Sequence, residues 1–328
     1  MKLEYLYGLR QRVSNAPKIK KLGAIKKGME QTPVIYKGQP YLVESRAPNE
    51  VCSKQHICVV NLKTGKESAP FGENYYFASA YAEGDNLFVF ATSARDDKPL
   101  TMYDSDDQSG WHDPRGGHTI RLFKTNDLET FVGKDIITDS TKRFWNTSVC
   151  KGEDGYVMAI EASEEDDYPN ANIGVAFTSI FAKAKDVESW TLLPDEYSYT
   201  PKRYNACPTI RYTNGWYYMI CLETLPCSRY VSYIYRTKNF ADWEVGFHNP
   251  IMMYGDDDRK VKEGCSLTKD EYELLMTGLN INNSDIDLFE WEGKTRIFYA
   301  NGDQMSYSFL CEAEYDGPLN QFLQAFFK

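Results

Sequence analysis

A run of aromatic and β-branched residues, a tight turn marked by glycine, and a second aromatic run ending near a polar or acidic residue recur five times along this chain. The copies are Thr32 to Tyr36 with Tyr41 to Glu44, Ser79 to Tyr81 with Leu87 to Phe90, and Thr147 to Cys150 with Tyr156 to Glu161. Pro208 to Tyr212 with Tyr217 to Glu223, and Asp285 to Phe289 with Arg296 to Tyr299, complete the set. Such runs suit a pleated, half-buried surface, and a glycine between two of them predicts a hairpin turn. The glycines Gly38, Gly84, Gly155, Gly215 and Gly293 stand 46, 71, 60 and 78 residues apart, room for a four-stranded sheet in each repeat. The pattern predicts an all-β chain, a single-domain five-bladed β-propeller over residues 1–328 that includes a short N-terminal lead-in and a C-terminal closing segment.

A second phrase supports the repeats. Lys124 to Phe131, Lys185 to Trp190 and Lys238 to Trp243 each follow a strand-like run. In each, Asn or Asp opens a turn by bonding its own backbone, and a trailing aromatic is placed to fill the gap between neighbouring sheets. These are expected as the outer hairpins of the second, third and fourth blades. One helix is predicted from Thr268 to Leu275, because Thr268 and Glu271 form a capping box and Gly278 stands just beyond. The tail from Leu319 to Phe327 reads as a short amphipathic docking segment. Strands from the two ends of the chain are expected to share a blade. The insert from Asp96 to His118, rich in Asp, Gly and Pro, reads as a functional loop.

The two strands of an inner hairpin run antiparallel, so the start of the first and the end of the second share one rim of the ring. That rim collects Glu30 and Glu44, Ser79 and Thr92, Asn146 and Glu161, Asn205 and Glu223, and Asn283, Asp285, Asp287 and Asn301. Clustered carboxylates raise one another's pKa values, which allows a protonated acid beside an ionised base. Glu161 and Glu223 end apolar runs at equivalent places in consecutive repeats and are the leading candidates for catalysis. Asp285 joins them as a base or orienting group. Alternation would direct Asp285 and Asp287 to one face of their strand, with Asp287 binding substrate. Glu30, Glu44, Asn146, Asn205, Asn283, Trp111, His118 and Arg203 complete the expected substrate-binding set.

Composition narrows the partners. The formal charge is −10, from 37 basic and 47 acidic residues, which disfavours a nucleic-acid partner. No run of eighteen apolar residues occurs, so no membrane-spanning helix is expected. Scattered cysteines and the lack of an apolar leader point to a reducing, cytoplasmic setting. The four histidines show no metal-ligand spacing, and Asp256-Asp257-Asp258 lacks the Gly and Glu of a calcium loop and reads as surface. No P-loop, dinucleotide fingerprint or nucleophile elbow is present, so neither metal nor cofactor is expected.

The five hairpins with acids at one rim, together with the turns Asn126-Asp127-Leu128-Glu129-Thr130-Phe131 and Lys185-Asp186-Val187-Glu188-Ser189-Trp190, resemble the five-bladed propeller glycoside hydrolases. Family 43, the arabinofuranosidase and xylosidase group, is the nearest in pattern, with fructosidases and mannoside phosphorylases as propeller relatives. That family opens blades one and three with Asp-Pro and blade four with Glu-Gly-Pro. Here those places read Gln31-Thr32-Pro33, Asn146-Thr147-Ser148 and Asn205-Ala206-Cys207-Pro208, so the prolines at 33 and 208 persist and the acids do not. The resemblance implies an exo-acting, inverting glycosidase acting on an oligosaccharide from a polysaccharide, with an acid and a base about 6.5–9.5 Å apart. A glycoside phosphorylase, which would need Arg95, Arg203 and Arg229 as an anion site, and a non-catalytic carbohydrate-binding propeller are the alternatives.

Overall fold

The computed structural model describes residues 16–29, 31–47, 54–94, 116–164, 177–199, 204–225, 229–303 and 306–328. The candidates Glu30, Trp111 and Arg203 lie outside these residues, as do Arg95 and His112 and most of the insert before Gly116. The chain divides into two compact units, residues 30–212 and a second made of residues 1–29 with 213–328.

The first unit is a succession of up-and-down antiparallel sheets. Strands β2 (Gln31–Tyr36), β3 (Gln39–Arg46) and β4 (His56–Asn61) form the first. Strands β5 (Tyr75–Glu83), β6 (Asn86–Ser93), β7 (Thr119–Thr125) and β8 (Val132–Thr138) form the second. The third contains β9 (Lys142–Gly152), β10 (Gly155–Glu164), β11 (Thr178–Ala184) and β12 (Trp190–Leu192), and β13 (Ala206–Thr213) follows. Inward-facing residues of adjacent sheets share cores. Val34, Val43 and Val59 pack with Leu87, Val89 and Phe123, whereas Phe88, Phe90 and Ile120 pack with Val149, Met158 and Ile160. The aromatics after the outer turns fill the gaps between sheets: Phe131 stacks on Phe71 at 3.6 Å, and Trp190 meets Phe90 edge-on at 5.9 Å.

The second unit holds β14 (Trp216–Leu225), β15 (Arg229–Thr237) and β16 (Trp243–Val245) in one meander. Strands β17 (Asn282–Trp291), β18 (Lys294–Gly302) and β19 (Ser308–Tyr315) form another, completed by β1 (Ile19–Lys27). The two meanders join through a single parallel pair, Tyr230 with Asn282. As expected, strands near the two ends of the chain lie side by side, β1 antiparallel to β19. Helix α1 (Lys269–Thr277) and helix α2 (Leu319–Ala325) cover this unit. In α1 the Thr268 hydroxyl accepts from the Glu271 N–H and the Glu271 carboxylate accepts from the Thr268 N–H, the capping box read from the sequence. Helix α1 runs two residues past the expected end. Gly278 keeps φ −63, so its small size matters for a different reason: a Cβ there would collide with the Tyr307 hydroxyl.

All five predicted strand pairs form as strands joined by short turns. Lys37-Gly38, Asn214-Gly215 and Glu292-Gly293 have positive φ at both residues, the geometry that matches the twist of a two-residue hairpin. The third differs from expectation. Its turn is Glu153-Asp154, and Gly155, at φ 132, opens the returning strand, where a Cβ would strike the Ala184 carbonyl oxygen. The outer turns are built alike: Asp127 Oδ1 accepts from the N–H groups of Glu129 and Thr130, and Asn239 Oδ1 from those of Ala241 and Asp242. Asp186 Oδ1 does the same for the Glu188 N–H.

One recurring irregularity carries more weight for function. Phe77 in β5, Cys207 in β13 and Asp285 in β17 are non-glycine residues with φ of 51, 49 and 51, and each lies near the start of the first strand of its repeat. The ladders of β5 and β17 shift register at these places, and β9 shifts opposite Glu161. Bulges of this kind re-aim side chains.

Candidate active site

In the first unit, Glu161 is set in β10 and β9 bulges opposite it. The bulge brings the Asn146 amide onto the same carboxylate: Asn146 Nδ2 donates to Glu161 Oε2 at 3.1 Å, and the Cys207 N–H donates to that oxygen at 2.8 Å. The left-handed backbone at Cys207 belongs to this contact, because it accompanies a main-chain donor directed at a buried carboxylate. Asn146 Nδ2 also approaches the Cys207 thiol at 3.7 Å. Across the sheet Glu161 faces Ser179, whose hydroxyl donates to Asn205 Oδ1 in a very short contact, and the Asn205 N–H is tied to the Phe177 carbonyl. Four of the residues gathered here, Asn146, Glu161, Asn205 and Cys207, come from three strands or their ends. Glu161 is 4% exposed.

Glu44, in β3, pairs with Arg46. Its Oε2 accepts from Arg46 Nε and Nη2 at 3.1 and 2.9 Å, and Arg46 also spans to Glu67. Those bonds, the Glu67 one first, hold the guanidinium pKa above its ordinary value, although burial opposes them. Glu44 is therefore the inner end of an ion-pair relay. His118 Nδ1 lies 2.8 Å from the Lys142 carbonyl oxygen. Among the described residues no cluster of His, Cys, Asp and Glu has the arrangement to hold a metal ion.

In the second unit Glu223 is buried in β14 and receives a very short hydrogen bond from the Tyr235 hydroxyl. The strands carrying Glu44, Glu161 and Glu223 continue to Arg46, Glu164 and Leu225, so these acids sit inside strands and not at their last residues. Asp285 and Asp287 depart from the expected alternation: the positive φ at Asp285 and the register shift between Ser284 and Asp287 break the regular two-residue repeat. Asp285 accepts from the Ser284 hydroxyl at 2.5 Å and is part-exposed, whereas Asp287 is buried and caps the Leu288 N–H at 2.7 Å.

A buried charge cluster in this unit overturns the surface reading of the Asp256 triplet. Asp258 is fully buried, and its carboxylate accepts from Lys21 Nζ at 2.8 Å, the Gly255 N–H at 2.9 Å, the Tyr299 hydroxyl at 2.9 Å and Asn283 Nδ2 at 3.3 Å. Burial, with the Asp258 charge adding to it, pushes the Tyr299 hydroxyl far above its ordinary range. The triplet looked solvated because consecutive acids usually are; here a short 3₁₀ turn over Asp256–Asp258 points the last one inward.

Comparison with solved structures identifies the architecture. The fold is that of the propeller glycoside hydrolases of families 43 and 32. A family 43 mutant protein from Bacillus licheniformis aligns over 85% of this chain and 49% of its own, at 14% identity and a TM-score of 0.53. A family 32 β-fructofuranosidase from Bombyx mori aligns over 94% and 64%, at 13% identity and a TM-score of 0.53. A xylan β-1,4-xylosidase from Bacillus halodurans aligns over 90% and 53%, at 12% identity and a TM-score of 0.55. The chain thus spans about half to two thirds of the length of these three proteins. No protein-family model and no curated protein matches the sequence. At such identity the likeness concerns the fold, and the chemistry rests on the residues themselves.

Cys207 and Tyr235, which bond Glu161 and Glu223, are contacts that sequence reasoning missed. Cys207 precedes a proline, which biases a residue toward extended backbone, so nothing in the text signals its left-handed φ. Tyr235 belongs to an aromatic-rich strand in which no single tyrosine stands out.

Proposed function

We propose that the protein is a glycosidase of the propeller type, its five hairpins serving as the inner strands of five blades in one domain, and that Glu161 is a carboxylate of its chemistry. The observation that carries this reading is the anchoring of Glu161: a buried carboxylate held by an amide and by the N–H of a residue at φ 49. A non-glycine residue in that conformation costs on the order of 1–3 kcal/mol, and such strain concentrates where function demands a fixed donor. Fixed donors of this kind orient the carboxylate, which a glycosidic acid or base requires. Glu223, bonded to Tyr235, and Asp285, on its bulge, are the other acids assigned to the reaction, with Asp287, Asn146, Asn205 and Asn283 as binding groups.

The substrate proposed is an oligosaccharide end, cleaved with inversion. Support comes from the fold shared with a xylosidase and a fructofuranosidase and from acids placed at equivalent points of successive repeats. Turnover of a panel of chromogenic glycosides, with and without phosphate, tests the reading. Hydrolysis that Glu161→Gln abolishes supports it. Turnover that appears only with phosphate replaces hydrolysis with phosphorolysis, and no turnover of any glycoside by the folded protein overturns the enzymatic reading.

A further inference from the structure

Three aromatic side chains run in a row beside the polar group around Glu161. Trp145 meets Phe177 edge-on with ring centroids 4.7 Å apart, and Phe177 meets Tyr204 in the same way at 5.7 Å. Each belongs to a segment that supplies the polar group: Trp145 precedes Asn146 in β9, Phe177 leads into Ser179 of β11, and Tyr204 precedes Asn205. The backbone ties the row to that group as well, since the Asn205 N–H donates to the Phe177 carbonyl at 3.0 Å. Exposure rises along the row. Trp145 is 1% exposed, Phe177 is 4% exposed and Tyr204 is part-exposed. An edge-to-face contact covers at most one face of a ring, so Phe177 fixes the plane of Tyr204 and leaves a face of it uncovered by Phe177. Tyr204 is thus the accessible end of a braced aromatic row whose inner members border a held carboxylate.

We infer that Tyr204 is the stacking platform of a sugar subsite beside Glu161, and that this subsite takes a pyranose ring. The inference rests on the carbohydrate reading above and adds to it the class of sugar and the residue that selects it. A β-D-pyranose with equatorial hydroxyls turns its axial C–H bonds to the faces of the ring, and such a face is a flat apolar patch that matches an aromatic plane. A furanose ring is puckered and carries substituents out of its plane on both sides, so it fits the same plane poorly. Sites for small ligands join an apolar lining to a few placed polar groups, and the row with its polar neighbours has that make-up. An anionic ring is disfavoured, because the Glu161 carboxylate belongs to the same group.

The whole chain, wild type and with Tyr204→Phe, Tyr204→Leu or Tyr204→Ala, is titrated with methyl β-D-xylopyranoside and methyl β-D-fructofuranoside under saturation-transfer NMR, and each variant is unfolded by heat. The wild type should bind the pyranoside, with saturation concentrated on the axial protons of one ring face. Tyr204→Phe should keep that affinity and that pattern. Tyr204→Leu and Tyr204→Ala should lose the face pattern and bind the pyranoside at least about fivefold more weakly, with any furanoside binding unchanged. A tyrosine that only packs on Phe177 would behave otherwise. Tyr204→Leu, which keeps an apolar body, would then bind normally, and a loss in Tyr204→Ala would accompany a lowered Tm and affect both sugars alike. The inference falls on that result, on wild-type pyranoside affinity in both Tyr204→Leu and Tyr204→Ala, or on an equal loss in Tyr204→Phe. It falls equally on a wild type that prefers the furanoside or binds neither sugar. The outcome separates from that of the glycosidase reading. Hydrolysis lost in Glu161→Gln with unchanged KM in Tyr204→Ala would sink only the subsite, whereas pyranoside binding that depends on Tyr204 in a chain that hydrolyses nothing would sink only the enzyme.

Discussion

Replacing Lys21 by methionine should be among the most damaging single changes in the second unit. Lys21 Nζ sits 2.8 Å from Asp258 Oδ2 and 3.1 Å from Asp257 Oδ1, and also donates to the Met253 carbonyl at 2.7 Å. At an effective dielectric of about 20, a pair at 2.8 Å has a gross Coulomb attraction of about 6 kcal/mol. Desolvation of both groups consumes much of that, so the intact pair contributes little net stability. Removing one partner is different. Asp258, at 0% exposure, would be left as a buried carboxylate without its Lys21 partner, at a cost of about 3–5 kcal/mol. The consequence is local as well, since Lys21 ties β1 to the 253–258 segment. Urea unfolding followed by tryptophan fluorescence should show the loss, and hydrogen exchange should accelerate in β1 and across residues 253–262. The double variant Lys21→Met with Asp258→Asn should recover part of the loss, because a neutral amide can still accept from Gly255 and Tyr299. A deficit below about 1 kcal/mol for Lys21→Met, the size of an exposed pair, or strict additivity in the double variant, would refute the argument.

Glu161→Gln and Glu223→Gln should each lower turnover by about 10²-fold or more while leaving far-UV circular dichroism unchanged, the loss expected for a general acid or base; wild-type rates in both would move the chemistry elsewhere. Calorimetry should find weakened sugar binding in Asp287→Ala, whereas Asp285→Asn should keep affinity and lose rate. Burial pushes the Cys150 thiol up to about 12, so a thiol reagent at neutral pH should label the part-exposed Cys207 and Cys265 before Cys150, which should react only on unfolding. The Thr268 N–H, followed by its hydroxyl, holds the Glu271 carboxyl below its ordinary range. A depressed folded pKa means that this cap contributes fully above the unfolded value of about 4.3 and is lost as pH falls through the folded one. Thr268→Ala should cost about 1 kcal/mol at neutral pH, and measurably less in acid.

The hairpins, outer turns and capped helix were legible because each depends on neighbours in the chain. A left-handed turn asks for glycine or asparagine at a given place, as at Asn214-Gly215, and an Asp or Asn bonding its own backbone, as at Asp127 and Asn239, needs no distant partner. The candidate site was only half legible for the same reason. Equivalence between repeats singled out Glu161 and Glu223, but it assumed unbroken alternation, and the bulge at Asp285 defeats that assumption for the fifth repeat. Nor does the sequence show that Arg46, two residues on, turns back onto the Glu44 carboxylate.

Local preference and periodicity along the chain thus determined which segments are strands, where they reverse, and that they repeat. Tertiary structure decided what each polar side chain meets. Cys207 donates to a carboxylate 46 positions away, and Lys21 finds Asp258 across 237. Contacts at such separation are selected by the packing of sheets already formed, and a buried charge survives only where that packing supplies its hydrogen-bond partners.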